Sequence, residues 1–373
     1  DVVVDDDAAG LARELAPALA ADGREPAVAT VHERFGTAVL EWPQGRVDIA
    51  ERRAESYPAP GALPEVRRGD ALEDLARRDF TVNAIAVPLA GPQAGSLIAV
   101  EHALADLRAG HLRVLHERSF LDDPTRLLRL ARYSARLGFQ VEPRTRALAL
   151  EAIAANALAS VSRARLGAEL RLAVRETDGL AALAALQELG ALAAVDPDLR
   201  LDVALAQRAL ALLPPDGRTD LLLMATLLQR AEPADRSVLA RRIFTLLDDL
   251  EFPAGERERI IRSAGAASLT AAIERAARPS QLHAELAGEP AEAVALAGAL
   301  ASEGSAVERA ARSWLDSLRN VQLSIGGEDL LAAGVPAGPE IGRRLAAALA
   351  AKLDGELDDG REAELAVALE ARA

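Results

Sequence analysis

Hydrophobic positions along the chain change their period near residue 112. Before it, short apolar runs alternate with polar ones. Val2–Val4, Ala27–His32, Thr37–Trp42, Arg46–Ala50 and Leu97–Val100 are therefore expected as strands. A helix is expected from Ala8, with one of Asp5, Asp6 or Asp7 at its cap, and another after Asp79. Pro58–Pro64, with Gly61, has loop composition. From residue 113 onward the chain is dominated by Ala, Leu, Arg and Glu at helical spacing. Gly138, Gly190, Pro214-Pro215, Pro253, Pro279 and Pro336 break it into separate helices. No fixed-period repeat stands out. The pattern predicts an α+β fold: a small head of mixed sheet and helices, then an all-helical remainder.

Two segments carry candidate chemistry. Arg77-Arg78-Asp79-Phe80-Thr81-Val82-Asn83-Ala84 gathers two guanidiniums, a carboxylate, a hydroxyl and a carboxamide. Arg binds phosphate through bidentate, charge-assisted hydrogen bonds, Asp accepts from a hydroxyl, and Asn donates and accepts. This is equipment for a nucleoside triphosphate; a surface salt-bridge cluster at a helix start is the competing reading. In Ser119–Phe139, helical period places Leu127, Leu128, Ala131 and Ala135 on one face. Arg126, Arg129, Arg132 and Arg136 fall on the other. Pro124 suits a first turn capped by Asp122 or Asp123, and Gly138 suits the C-terminal stop. Asp123 and Arg126, three apart, are placed to meet on the helix surface. The pair is either a template of acceptors and donors for a nucleobase edge or an ordinary solvated ion pair.

These two segments, in this order, resemble the class II tRNA nucleotidyltransferases, the CCA-adding group that includes bacterial poly(A) polymerases. The likeness extends through Phe35-Gly36-Thr37, Val47-Asp48-Ile49, Glu55-Ser56-Tyr57, Val161–Arg165 with Glu169-Leu170, and Gly326–Leu330. It therefore spans nearly the whole chain. The resemblance implies a head over residues 1–112, a neck over 113–175 and a helical body and tail over 176–373. It implies that Arg78, Asp79 and Asn83 recognise ribose and triphosphate, with Arg129 also at the nucleotide. The family's Glu-Asp-x-x-Arg motif corresponds to Asp122–Arg126, so Asp123 and Arg126 are implied to read the bases of CTP and ATP. Asp122 in place of Glu departs from that pattern and leaves the pair intact. Asp1 corresponds to the second of two magnesium-binding Asp residues. Asp48 corresponds to a third strand-borne carboxylate, on the strand face opposite Val47 and Ile49. The family's Gly-Gly loop and first Asp would precede Asp1, so a parent chain longer by on the order of 30 residues is expected. The chain as it stands is expected to have little transferase activity.

Composition narrows the rest. The chain has 373 residues, no Cys and five His, with no His-Asp pair of the phosphohydrolase kind in Leu221–Gln229. No apolar run is long enough to suggest a membrane span, and cytosol is the simplest compartment. Net charge is −14, yet residues 113–175 hold twelve Arg against six acids. A basic stripe in an acidic chain guides a phosphate backbone into one groove. Arg132, Arg136, Arg163 and Arg165 are the candidates for that RNA contact. The implied reaction is attack of a tRNA 3′-hydroxyl on the α-phosphate of CTP or ATP, assisted by Mg2+. Poly(A) polymerase is the alternative within the class, and a non-catalytic RNA-binding remnant the alternative outside it. The sequence is silent on oligomeric state.

Overall fold

The computed structural model describes residues 1–21, 28–32, 36–43, 45–229, 236–357 and 360–371. Ala27 and Phe35, named above in a strand and a motif, lie outside the described residues. The chain divides into two compact units, Asp1–Val161 and Ser162–Ala373.

The first unit opens with a four-stranded sheet of β1 (Val2–Val4), β2 (Val28–His32), β3 (Thr37–Trp42) and β4 (Gly45–Glu51) in the order β1-β4-β3-β2. β1 runs parallel to β4, and the other pairs are antiparallel. Helix α1 (Ala8–Ala21) covers one face, burying Ala8 and Ala12 against Ala38, Leu40 and Ile49. Asp7 starts it in a left-handed conformation (φ 53°), and its Oδ1 accepts the Gly10 N–H at 2.7 Å. Asp5 pairs with Arg52 and Asp6 with Arg68, so these acids cap and pair. Successive strand side chains point to opposite faces. Val47 and Ile49 face α1, which leaves Asp48 on the open face. The register Val2↔Ile49, continued one residue back, brings Asp1 alongside Asp48.

A hairpin follows: β5 (Arg53–Ser56) and β6 (Glu65–Arg68). Sequence pattern did not predict it, because both strands are mostly polar and carry no apolar alternation. Helix α2 (Ala71–Ala76) begins at Asp70, whose Oδ1 accepts the Leu72 and Glu73 N–H groups at 2.9 Å. Glu73 returns a bond to the Asp70 N–H at 2.9 Å, completing a capping box. The helix thus precedes Arg77-Arg78-Asp79 rather than following it. After Asp79 comes one 3-10 turn (Thr81–Asn83), then β7 (Ile85–Ala86) paired with β8 (Ile98–Ala99). Local bonds account for the difference. The Asp79 side chain takes the Phe80 N–H, Phe80 bridges to Val114, and the Thr81 N–H donates to the Arg113 carbonyl. These claim the groups that an α-helix would need.

The remainder of the unit comprises α3 (Ala103–Ala109), β9 (His111–Leu112), α4 (Ser119–Asp122), α5 (Thr125–Leu137), β10 (Gln140–Val141) and α6 (Pro143–Ala154). Leu127, Leu128 and Leu130 of α5 are buried, as are Phe80, Leu112 and Phe120. Gly138 ends α5 at φ 65°. Asp123 does not lie on α5. Proline at 124 disfavours helical backbone in the residue before it, and Asp123 is extended (φ −132°, ψ 93°). Loop 58–64 is held by the Gly61 N–H, which donates to the carbonyls of Leu121 (3.2 Å) and Asp122 (3.3 Å).

Among the described residues of the second unit, the regular elements are all helices. Gly190 (φ 84°) ends the helix Gly179–Leu189, Pro253 precedes Ala254–Ala264, and Pro279 occupies the first turn of Pro279–Leu286. Glu292, fully buried, accepts the Arg218 backbone N–H at 2.6 Å and two bonds from Arg259 at 2.7 and 2.8 Å. Asp220 pairs with Arg175 and Arg218. Ile325, Leu330, Val335, Ala348 and Ala368 form a small separate core at the tail. No described helix is long and apolar enough to cross a membrane.

Candidate functional site

A cleft of about 1520 Å³ opens in the first unit, lined in part by Asp1, Arg78, Asp79, Asn83, Asp123, Arg126 and Arg129. Residues as far apart in sequence as Asp1 and Arg129 thus share one wall system. Asp48 does not line it. On the open sheet face its carboxylate is held by Arg46, with Nη2 to Oδ1 at 2.7 Å. That hydrogen bond and charge hold the Asp48 carboxyl below the usual range despite some desolvation.

Asp79 is the hub of the cleft. It is 7 % exposed. Its Oδ1 accepts the Phe80 N–H at 2.9 Å and Asn83 Nδ2 at 2.8 Å. Its Oδ2 takes Arg129 Nε at 2.8 Å and Nη2 at 2.7 Å. The expectation that this carboxylate is open to a ribose hydroxyl therefore changes. Both oxygens are already engaged, and Asp79 fixes the orientation of Arg129 and Asn83. Beneath it, buried Asp74 accepts Arg77 Nη2 at 2.7 Å and Arg78 Nη2 at 3.1 Å. Burial works against its charge, but these two guanidiniums outweigh it and hold the Asp74 carboxyl low. Arg77 continues to Glu55 Oε1 at 3.2 Å and to the Arg53 carbonyl, so it braces the wall. Arg78 keeps a buried Nε with no partner, a donor that a phosphate oxygen would satisfy.

At the other end, Arg126 is 4 % exposed. Its Nη1 donates to Ser119 Oγ at 2.6 Å and its Nη2 to the Arg77 carbonyl at 2.8 Å. That second bond ties the Asp122–Arg126 segment to the Arg77–Ala84 segment. Asp123 Oδ1 accepts the Thr125 N–H at 3.1 Å and its hydroxyl at 2.7 Å. Asp123 and Arg126 thus both line the cleft, but from a helix-capping position and a buried helical one. They are not neighbours on a solvated helix face. His116 lies beside Arg126, and burial with that cation pushes its pKa down.

The expected solvated arginine face is only partly present. Arg136 is exposed, whereas Arg132 is 4 % exposed. All three of Arg129, Arg132 and Arg136 gather on Tyr133, whose ring centroid lies 5.3, 4.9 and 5.3 Å from their guanidinium carbons. Aromatic faces attract guanidinium groups. Arg163 belongs to the second unit and donates to the Val195 carbonyl at 2.6 Å. Arg165 is there too and is half-buried. Sequence reasoning passed over Asp74, Tyr133 and the roles of Glu55 and Tyr57. Tyr57 was within reach: it stands in the Glu-Ser-Tyr motif, and the chain has only two tyrosines. Its hydroxyl donates to Glu55 Oε2 at 3.1 Å. Burial, opposed by Arg126 and aided by Glu55 and Asp123, pushes that hydroxyl up to about 12. Among the described residues no three or more His, Cys, Asp or Glu form a metal-holding group.

Residues 1–113 match the family described as the poly A polymerase head domain. An A-adding tRNA nucleotidyltransferase of Geobacter sulfurreducens is 34 % identical over 343 residues, covering 87 % of this chain. The chain spans 38 % of that relative's length. A solved CCA-adding enzyme in an apo form superposes with a TM-score of 0.75 at 26 % identity, over 98 % of this chain and 86 % of that one. A Thermotoga maritima CCA-adding enzyme complexed with tRNA gives 0.71 at 25 % identity, over 98 % and 85 %. With the Arg-Arg-Asp and Asp-Asp-x-x-Arg segments meeting in one cleft, residues 1–113 belong to the poly A polymerase head-domain family, and the chain as a whole is similar to the CCA-adding nucleotidyltransferases.

Proposed function

We propose that the chain is the head, neck and helical body of a template-independent nucleotidyltransferase that adds C, A or both to a tRNA 3′ end. CTP and ATP are the nucleotides. Residues 1–112 bind and align the nucleotide, 113–175 choose its base and contact RNA through Arg132, Arg136, Arg163 and Arg165, and the helical body and tail engage tRNA. The single observation that carries this reading is the cleft in which Arg78, Asp79, Asn83, Asp123, Arg126 and Arg129 converge. Arg78 and Arg129 offer guanidiniums to the triphosphate. Asn83, held through its amide by Asp79, turns toward the sugar with its carbonyl as acceptor. Asp123 and Arg126 present an acceptor and donors to the Watson–Crick edge.

A divalent metal fits the residues present. Asp1 and Asp48 stand at neighbouring positions on parallel strands, and magnesium is held by one or two carboxylates plus substrate phosphates. Asp1 is the metal ligand in this reading, with Asp48 as the second carboxylate or the acceptor of the 3′-hydroxyl proton. When bound, magnesium supplies charge stabilisation at the α-phosphate. The protein groups hold the hydroxyl and phosphate in line rather than forming a covalent intermediate.

Equilibrium binding by the 373-residue chain tests the reading. ATP and CTP are expected to bind, with GTP and UTP weaker. tRNA is expected to bind more tightly than an unstructured oligonucleotide, with affinity falling as salt rises. Equal affinity for the two RNAs would favour poly(A) polymerase. Failure to bind any triphosphate would leave only the RNA-binding alternative.

A further inference from the structure

Only two tyrosines occur in the chain, and both line the cleft. Their surroundings differ. Tyr133 is spent on the fold: three arginines crowd its ring, and its centroid stands 5.9 Å from that of Phe80 in an edge-to-face pair. Among the described residues, no aromatic ring or guanidinium packs on Tyr57. What Tyr57 has is a fixed hydroxyl. It donates to Glu55, and Glu55 is in turn gripped by Arg53 Nε at 2.9 Å and Arg77 Nη1 at 3.2 Å. The carbonyl of that same Arg77 receives Arg126. One chain of bonds therefore runs from Tyr57 to the residue that reads the base edge, and Asp123 acts on Tyr57 electrostatically.

Reading an edge is not enough to hold a base. Hydrogen bonds in the base plane leave tilt and sliding unconstrained, and an aromatic face removes both. Stacking is also tolerant of which base is present, so a platform and an edge reader divide the work without conflict. We infer that the ring of Tyr57 is the stacking platform for the base of the incoming nucleotide. This rests on the nucleotide-transfer reading above and adds to it a residue and a contact. The hydroxyl does not touch the nucleotide; it sets the plane of the ring.

Two tyrosines make the test direct. With ring-labelled tyrosine, the chain gives two sets of ring signals, assigned with Tyr57→Phe. Saturating ATP is expected to move the Tyr57 ring protons upfield, the signature of a base lying over the ring. Ribose 5-triphosphate, which has no base, should leave them in place. Tyr57→Leu should weaken ATP binding roughly ten- to a hundredfold while ribose 5-triphosphate binds as before, and Tyr57→Phe should stay within about threefold of the parent. An unshifted Tyr57 ring in a chain that binds ATP would overturn the inference and leave the function standing. Equal weakening of ATP and ribose 5-triphosphate by Tyr57→Leu would also overturn it, assigning Tyr57 to bracing Arg77. A parent chain that binds neither ATP nor CTP would fail the functional reading instead.

Discussion

Two arginine–carboxylate networks of similar composition serve different ends in this molecule. In the second unit, Glu292 and Asp220 sit among packed helices, and their partners Arg175, Arg218 and Arg259 come from helix ends and faces. The bonds of Glu292 and the Arg175–Asp220 pair join one helix to another, and the Arg218–Asp220 pair closes the start of a single helix. In the first unit, Asp74 and Asp79 are just as buried, but their partners come from a helix end, a 3-10 turn and α5, and border an opening. There the carboxylates aim cations at a space that the protein does not fill. Charge pairing alone does not separate scaffold from site. Irregular backbone around a cleft does, because such segments are free to turn polar groups toward a ligand.

Removing Glu292 gives the largest expected effect. Glu292→Ala leaves Arg259 and the Arg218 N–H without their buried acceptor. It should cost about 3 kcal/mol of stability, at the low end for a broken buried pair because Arg259 keeps solvent access. Urea unfolding measures it, and nucleotide binding by the folded fraction should be unaltered. Lost nucleotide binding with full stability would erase the contrast between the networks.

Asp79→Ala is the matching change in the cleft. It should lower stability by about 2 kcal/mol, the scale of a hydrogen bond to a charged group, and also loosen Arg129 and Asn83. ATP affinity and the preference for ATP over dATP should both fall in equilibrium dialysis. A drop in stability with an unchanged ATP-to-dATP ratio would make Asp79 scaffold after all. Asp123→Ala should be gentler on the fold. It loses a cap of α5 but chiefly blunts discrimination against GTP and UTP, by roughly tenfold. Competition among the four triphosphates reads this, and unchanged selectivity would assign Asp123 to capping alone.

Acidification gives the smallest effect. The folded state holds His116 below its ordinary pKa, so the unfolded chain takes up the proton first as pH falls. His116 therefore contributes stability above its ordinary pKa of 6.5 that is lost as pH drops through the folded value. Thermal melts from pH 8 to pH 5 should show this slope, and His116→Asn should flatten it.

Much of this was legible before any coordinates. Val2–Val4 announces a strand as a short run of β-branched residues and Thr37–Trp42 by the apolar Ala38, Leu40 and Trp42 on one side, and Gly138, Gly190 and Pro279 end or begin helices where backbone sterics demand. Arg78, Asp79, Asn83, Asp123, Arg126 and Arg129, singled out by their motifs, line one cleft. What could not be read was set by tertiary bonds. The hairpin of β5 and β6 has no apolar alternation, so its pairing leaves no periodic trace. The missing helix after Asp79 depends on Val114 and Arg113, more than thirty residues downstream. Helical spacing placed Arg132 beside Arg136, and both flank the Tyr133 ring, yet only Arg136 is exposed, because spacing alone does not say how deep each arginine sits. Asp123 is the instructive exception: Pro124 was visible, and its effect on the preceding residue was the available clue.

The anchoring of Gly61 reaches further than its loop. A β-carbon at this position would lie 2.0 Å from Ser160 Oγ, and the backbone is left-handed (φ 71°), so no other residue fits without moving its neighbours. Its N–H holds Leu121 and Asp122, the two residues just ahead of Asp123. Selection for altered nucleotide choice would therefore not confine its mutations to the letters that read the base. On the proposed reading it would also return position 61 and its counterpart at 160, whose changes would shift the backbone just ahead of Asp123.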